Sequence, residues 1–150
     1  MLSIFNCRNL EPHVHCYGYG LGGWTPSESE SNAETSWILA DLENVFLLIA
    51  VTTQGRYDTD IWTTTYSVSY GNDVSSLIAI NAVYAANNDR HTKVTNKLPC
   101  NTFGRYIRLH PIGHGPPPFL GLRWDVIGIL DTESESTSAG KSILGLILKE

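Results

Sequence analysis

Five side chains able to meet a ligand fall within seven residues of this sequence: Arg56, Tyr57, Asp58, Asp60 and Trp62. A guanidinium, two carboxylates and two aromatic rings supply donors, acceptors and stacking faces. That is the chemistry of recognition. No nucleophile elbow, phosphate-binding loop or paired-acid motif accompanies them, so the pattern argues against an enzyme. A Ser-His-Asp triad is assembled in space and leaves no fixed spacing to read. His13-Val14-His15-Cys16 offers three metal-ligating side chains within four residues. Structural zinc takes four ligands on wider, loop-forming spacing, so no metal site and no cofactor are expected.

The elements that must position these residues are strands. Before the cluster runs the hydrophobic stretch Val45–Val51, and after it comes a clean alternation in which Tyr66, Val68 and Tyr70 share one face and Thr65, Ser67 and Ser69 the other. A polar loop between two strongly specified strands is a recognition loop on a rigid scaffold. Further strands are expected at 37–42, 77–84, 92–97, 104–110 and 121–129, separated by Gly71-Asn-Asp73, Asn87-Asn-Asp89 and Pro116-Pro-Pro118. Val, Ile, Thr, Tyr and Trp are plentiful and no long segment has a helical period. The expected fold is therefore all-β, an antiparallel β-sandwich.

With 150 residues the chain suits one domain. It divides into an irregular segment 1–22, a β-domain 23–130 and a polar, acidic tail 131–150 expected to be disordered. A net charge of −5 gives no support to a nucleic-acid partner. The three cysteines, Cys7, Cys16 and Cys100, leave at least one unpaired in a monomer. The first residues, an apolar start of five broken by Asn6 and Arg8, are not expected to act as a signal peptide as they stand, and the apolar run Ile143–Leu148 is far shorter than the ~20 residues of a membrane span.

With these residues in place, the sequence resembles the discoidin domain, the coagulation-factor V/VIII C-type domain. The landmarks are Gly23-Trp24-Thr25-Pro26, Trp37 leading to Asp41-Leu42, Thr53-Gln54-Gly55-Arg56, and Trp62-Thr-Thr-Thr-Tyr66-Ser-Val-Ser-Tyr70. They continue with Asn87-Asn-Asp89, Thr92-Lys-Val94-Thr-Asn96, Arg105-Tyr-Ile-Arg-Leu-His-Pro111 and Leu122-Arg123 closing into Gly128. The resemblance implies a jellyroll-like sandwich whose end loops, or spikes, bind a ligand. It also implies an extracellular or cell-surface setting, and partners such as a glycan, a protein or an anionic phospholipid. A carbohydrate-binding module attached to a hydrolase shares the same fold. By the same resemblance the usual first strand and first spike are expected to be missing or replaced upstream of Trp24, where Cys7 lies only 17 positions away, and Ile129 stands where a terminal cysteine is usual.

Two loops are thus expected to carry the ligand: Trp24, Thr25 and Ser29 in one, and Arg56, Tyr57, Asp58, Asp60 and Trp62 in the other. The bland alternative for Arg56 is a surface ion pair with a neighbouring aspartate, worth roughly 0–1 kcal/mol. Trp62 has a structural alternative, and Trp24 is expected to pack beneath the loops. Trp37, Tyr66, Val68, Tyr70, Ile107, Leu109 and Trp124 are expected in the core, with Arg105 and Arg108 pairing acids or carbonyls. The loop at 24–31 is acidic and polar, and the apolar tips are confined to Tyr57 and Ile61. That balance favours a glycan or protein over phosphatidylserine in cell adhesion. A degenerate, purely structural domain is the other reading. Loss of the first strand would leave an inner strand as an open edge.

Overall fold

Among the described residues nine strands are formed: β1 (Ile4–Leu10), β2 (His13–Tyr17), β3 (Ile38–Gln54), β4 (Thr63–Gly71), β5 (Ile78–Ala79), β6 (Tyr84–Ala85), β7 (Val94–Lys97), β8 (Phe103–His114) and β9 (Arg123–Leu130). The computed structural model describes residues 4–10, 13–17, 22–26, 36–116 and 119–132. Among them the only helical turn is Val74–Ser76, where the Asp73 side chain accepts the Ser75 N–H at 2.9 Å. The strands pair in the order β1-β2-β9-β3-β8-β4-β5, with β7 added to β3 and β6 to β4. Every pairing is antiparallel except the parallel contact of β1 with β3. The fold is an antiparallel β-sandwich.

Strand β3 makes the sandwich possible. Its first residues pair with β8 and β1, and after a bend it keeps β8 only at Phe46 and Leu47 and pairs with β9 and β7. The bend falls at Glu43, whose φ of 67° is left-handed, and the Asp41 carboxylate accepts the Glu43 N–H at 2.9 Å. An aspartate two residues before a turn position fits this local bond. The hydrophobic sequence therefore serves both layers: Ile38, Ala40 and Leu42 before the bend, Leu48 and Val51 after it. They meet Tyr66 and Val68 of β4, Ile107 and Leu109 of β8, and Trp124 and Val126 of β9. Each fully buried aliphatic side chain contributes about 1.5–3 kcal/mol of transfer free energy.

Tyr66 is wholly buried, with its ring stacked on Tyr84 at 5.4 Å between centroids. Asn96 donates to its hydroxyl at 3.2 Å. Burial pushes the Tyr66 phenol up to about 12.

Four expectations are corrected. The segment 1–22, read as irregular, contains β1 and β2. Their short, mixed patterns become strands because partners are waiting: residues 4–6 lie along 39–41 and residues 13–15 along 125–127. For the same reason β9 is not left as an open edge; β2 covers it. The stretches 37–42 and 45–53 are one bent strand, not two. The expected strand 77–84 is two two-residue pieces against β4, interrupted where Ala82 N–H turns back to the Ile80 carbonyl at 2.8 Å.

In the core, Tyr66, Val68, Ile107, Leu109 and Trp124 are buried as expected. Trp37 is not among them. It is half-buried, with the Arg108 guanidinium 4.5 Å above its ring, a cation–π contact that suits a sheet margin. Tyr70 is also half-buried and packs against the core from its edge. Cys100 is an exposed free thiol, and Cys7 and Cys16 occupy opposite positions of the β1–β2 ladder.

Candidate functional site

The register decides where the loop chemistry is delivered. Gln54, the last residue of β3, lies opposite Arg123, the first of β9, while Thr63 at the start of β4 lies opposite His114 at the end of β8. Four strand ends therefore share one end of the sandwich. Trp24 joins them through a two-bond bridge with Leu122, at 2.9 and 3.0 Å.

The loop 55–62 is folded back on itself. Arg56 N–H donates to the Ile61 carbonyl at 2.9 Å, Ile61 N–H to Thr59 at 2.8 Å, and Tyr57 N–H to the Gly22 carbonyl at 2.6 Å. Gly22 has a φ of +96°, and a β-carbon there would run into the Asp58 carboxylate. Glycine is required on both counts. The Asp58 carboxylate takes both Arg56 Nε, at 2.9 Å, and Nη2, at 2.7 Å, in a fork-to-fork pair. Arg56 Nη1 reaches the Thr25 hydroxyl at 3.3 Å. The hydrogen bond from Arg56, more than its charge, holds the Asp58 carboxyl below the usual carboxylate range, and Asp58 raises Arg56 in return.

Of the residues expected to bind, Arg56, Tyr57, Asp58, Asp60 and Thr25 are gathered at this end. Tyr57 is 70% exposed. Asp60 is exposed and lies 3.4 Å from Arg90 Nε. Trp24 is half-buried and packs against the core, so it supports the loops from beneath. Trp62 is also half-buried: its indole occupies the space a β-carbon would need at Gly115, whose N–H donates to the Trp62 carbonyl at 3.1 Å. That contact gives Trp62 a structural duty beside the site. Ile61 is half-buried as well. Ser29 lies outside the described residues. Arg105 pairs an acid as expected, at Asp41.

Two residues of this end were not singled out as site residues from sequence. Arg123 donates from Nε to the Gly55 carbonyl at 2.7 Å and from Nη2 to the Arg90 carbonyl at 2.9 Å, with its guanidinium 5.8 Å from the Tyr57 ring centroid. Arg90 stands on the turn after Asn87-Asn-Asp89, which sequence marks only as a strand breaker. The signal lay in Asp89, a turn-forming side chain two and three residues before its targets. It accepts the N–H groups of His91 and Thr92 at 2.6 Å each and the Thr92 hydroxyl at 2.7 Å. These bonds, chiefly those from Thr92, lower the Asp89 carboxyl. Asn87 is fully buried and ties the Thr53 and Thr92 carbonyls, at 3.2 and 2.7 Å, so the turn is anchored to β3.

Among the described residues no group of three or more His, Cys, Asp or Glu is placed to hold a metal ion. No helix among them is long and apolar enough to cross a membrane.

The F5/8 type C domain model matches residues 15–126. The chain is 30% identical to retinoschisin of Mus musculus over 127 residues, covering 71% of this chain and 55% of that protein. It is 31% identical over 121 residues to contactin-associated protein 1 of Mus musculus, covering 77% of this chain and 8% of that one. Its fold is similar to the crystal structure of discoidin II of Dictyostelium discoideum, with a TM-score of 0.65 and 28% identity over 86% of this chain and 49% of the other. The chain thus spans about half the length of retinoschisin and a small part of contactin-associated protein 1.

Proposed function

Because the chain belongs to the F5/8 type C domain family, we propose that it is a non-enzymatic recognition module that binds a glycan or protein of a cell surface or matrix. In this reading it works outside the cell or at its surface, in adhesion. The ligand meets the loop end of the sandwich. Tyr57 offers a stacking face, Asp58 and Asp60 accept hydrogen bonds from hydroxyl or amide groups, and Arg56 with Thr25 forms the floor and flank.

The observation that supports this reading is the character of the exposed loop. Tyr57 is 70% exposed on a backbone tied at both Arg56 and Tyr57, with the Asp58 and Asp60 carboxylates following it in the same loop. A preorganised mixture of one aromatic face and several acceptors suits a polar ligand. Insertion into an anionic bilayer needs bare apolar tips on more than one loop. Here Ile61 is half-buried and Tyr57 stands among the charged side chains Arg56, Asp58 and Arg123. Phosphatidylserine is accordingly the lesser alternative.

A glycan array and a vesicle panel, run with wild-type protein and Tyr57→Ala, test the proposal. Saturable glycan or protein binding lost in Tyr57→Ala is the expected result. Vesicle binding that requires phosphatidylserine and is lost in Tyr57→Ala and Ile61→Ala would reverse the order of ligands. Binding to neither would leave a structural domain.

A further inference from the structure

Three arginines converge around Gly55, and they are not equivalent. A β-carbon on Gly55 would come within 2.6 Å of the Arg90 Cα and 3.0 Å of the Asp89 carbonyl, so the 55–62 loop and the 87–92 turn lie in direct contact. The Arg56 fork is engaged by Asp58 and Thr25. Arg123 spends Nε and Nη2 on the carbonyls of Gly55 and Arg90. Arg90 differs: its Nε donates to His91 Nε2 at 2.9 Å and faces Asp60 at 3.4 Å, while its Nη1 and Nη2 edge bonds no described residue.

The backbone that carries Arg90 is held far more firmly than an exposed turn requires. Asp89 closes it from within, the Arg123 guanidinium binds the Arg90 carbonyl, and Gln54 Nε2 binds the His91 carbonyl at 2.7 Å. A guanidinium edge with no hydrogen-bond partner among the described residues is therefore presented from a pinned base, on a half-buried side chain beside the exposed Asp60 carboxylate. Arg123 also links this base to the Tyr57 ring. A planar fork with its Nη edge open matches a carboxylate in bidentate fashion, which a lone ammonium does not.

We propose that Arg90 is the anchor of an anion subsite next to Tyr57, and that the ligand of this end is an acidic saccharide. Its carboxylate takes the Nη edge of Arg90. Asp60, which faces the Nε edge, accepts a neighbouring sugar hydroxyl, and Tyr57 covers the ring. This rests on the glycan reading above and adds a charge preference to it. The subsite also explains how a chain of net charge −5 would select an anionic ligand: by one local fork, not by bulk attraction.

The test uses the full chain and calorimetric titration with lactose, 3′-sialyllactose and a sulfated lactose, in wild-type protein, Arg90→Gln and Arg90→Lys. The side chain of Arg90 is 33% exposed, and an unchanged melting curve for each variant establishes that folding is intact. Sialyllactose is expected to bind about tenfold or more tighter than lactose, the worth of a charged hydrogen-bonded pair. That advantage over lactose, measured within the same variant, should shrink as salt is added, vanish in Arg90→Gln, and return only in part in Arg90→Lys. A sulfated sugar that shares the advantage extends the subsite to anions generally; one that does not supports the carboxylate fork. Equal binding of lactose and sialyllactose, or a preference that survives Arg90→Gln, overturns the subsite and leaves the glycan reading standing. If none of the three sugars binds, the glycan reading falls and the subsite falls with it.

Discussion

The molecule holds two aspartate–arginine forks of nearly the same geometry at opposite ends of β4. At the loop end, Arg56 grips Asp58 at 2.9 and 2.7 Å. At the other end, Arg105 grips Asp41 with both bonds at 2.7 Å. The first spans two positions in sequence and the second 64. The local pair bends a loop onto itself and leaves Tyr57 in solvent. The distant pair ties β8 to β3 two residues before the bend, and the same carboxylate also caps Glu43. Identical chemistry shapes the proposed binding surface in one place and fastens the joint between two layers in the other. Function follows from what each pair immobilises.

The largest perturbation would erase the contrast by removing what both ends share. Leu109 is fully buried in the common core. Leu109→Ala is expected to cost about 2–5 kcal/mol in a denaturant titration, with loop and sheet signals lost together. Separate transitions at the two ends would show that they are not one cooperative unit.

Next comes the alkaline limb set by Tyr66, midway along β4. Its phenol is raised to about 12, above the unfolded value of 10.0, so its contribution is complete below pH 10 and is lost as pH climbs through 12. That gap corresponds to roughly 3 kcal/mol of stability. Stability measured from pH 9 to 12 should fall steeply in wild type and more gently in Tyr66→Phe.

Asn87→Ala sharpens the comparison by loosening the loop end alone. It strips two carbonyls of their buried donor, and a loss of about 1–3 kcal/mol is expected. Hydrogen exchange should quicken at residues 89–92 and stay unchanged around Asp41. A uniform acceleration would mean that the turn is not an independent fastening.

The two forks themselves give the smallest effects on stability, because surface pairs are well solvated. Arg105 holds the Asp41 carboxyl below its ordinary range, so that contribution is present above the usual carboxylate pKa and fades as pH drops through the lowered value. Asp41→Asn should flatten this acid limb with no change in ligand binding. Asp58→Ala should do the reverse: a melting curve close to wild type, and weakened binding as Tyr57 loses its fixed perch. A large melting shift in Asp58→Ala would make the two forks alike after all.

Period-two alternation in Tyr66–Val68–Tyr70 and Ile107–Leu109, the turn residues, and the run Val45–Val51 were enough to declare an all-β sandwich. The burial of Tyr66, Val68, Ile107 and Leu109 follows directly. So does the presence of Arg56, Tyr57, Asp58 and Asp60 in one loop, since they are neighbours in the chain. Alternation is local physics, readable wherever one face is apolar. What the tertiary structure alone decided is non-local. Strands β1 and β2 exist because β3 and β9 offer them free edges. Trp37 is half-buried because Arg108 lies over it, and Trp62 is half-buried because Gly115 leaves room for its ring. Arg90 and Arg123 reach the candidate site through contacts with Gly55 across 35 and 68 positions of sequence. Such pairings arise from register and close approach, and no spacing within a single strand or loop encodes them.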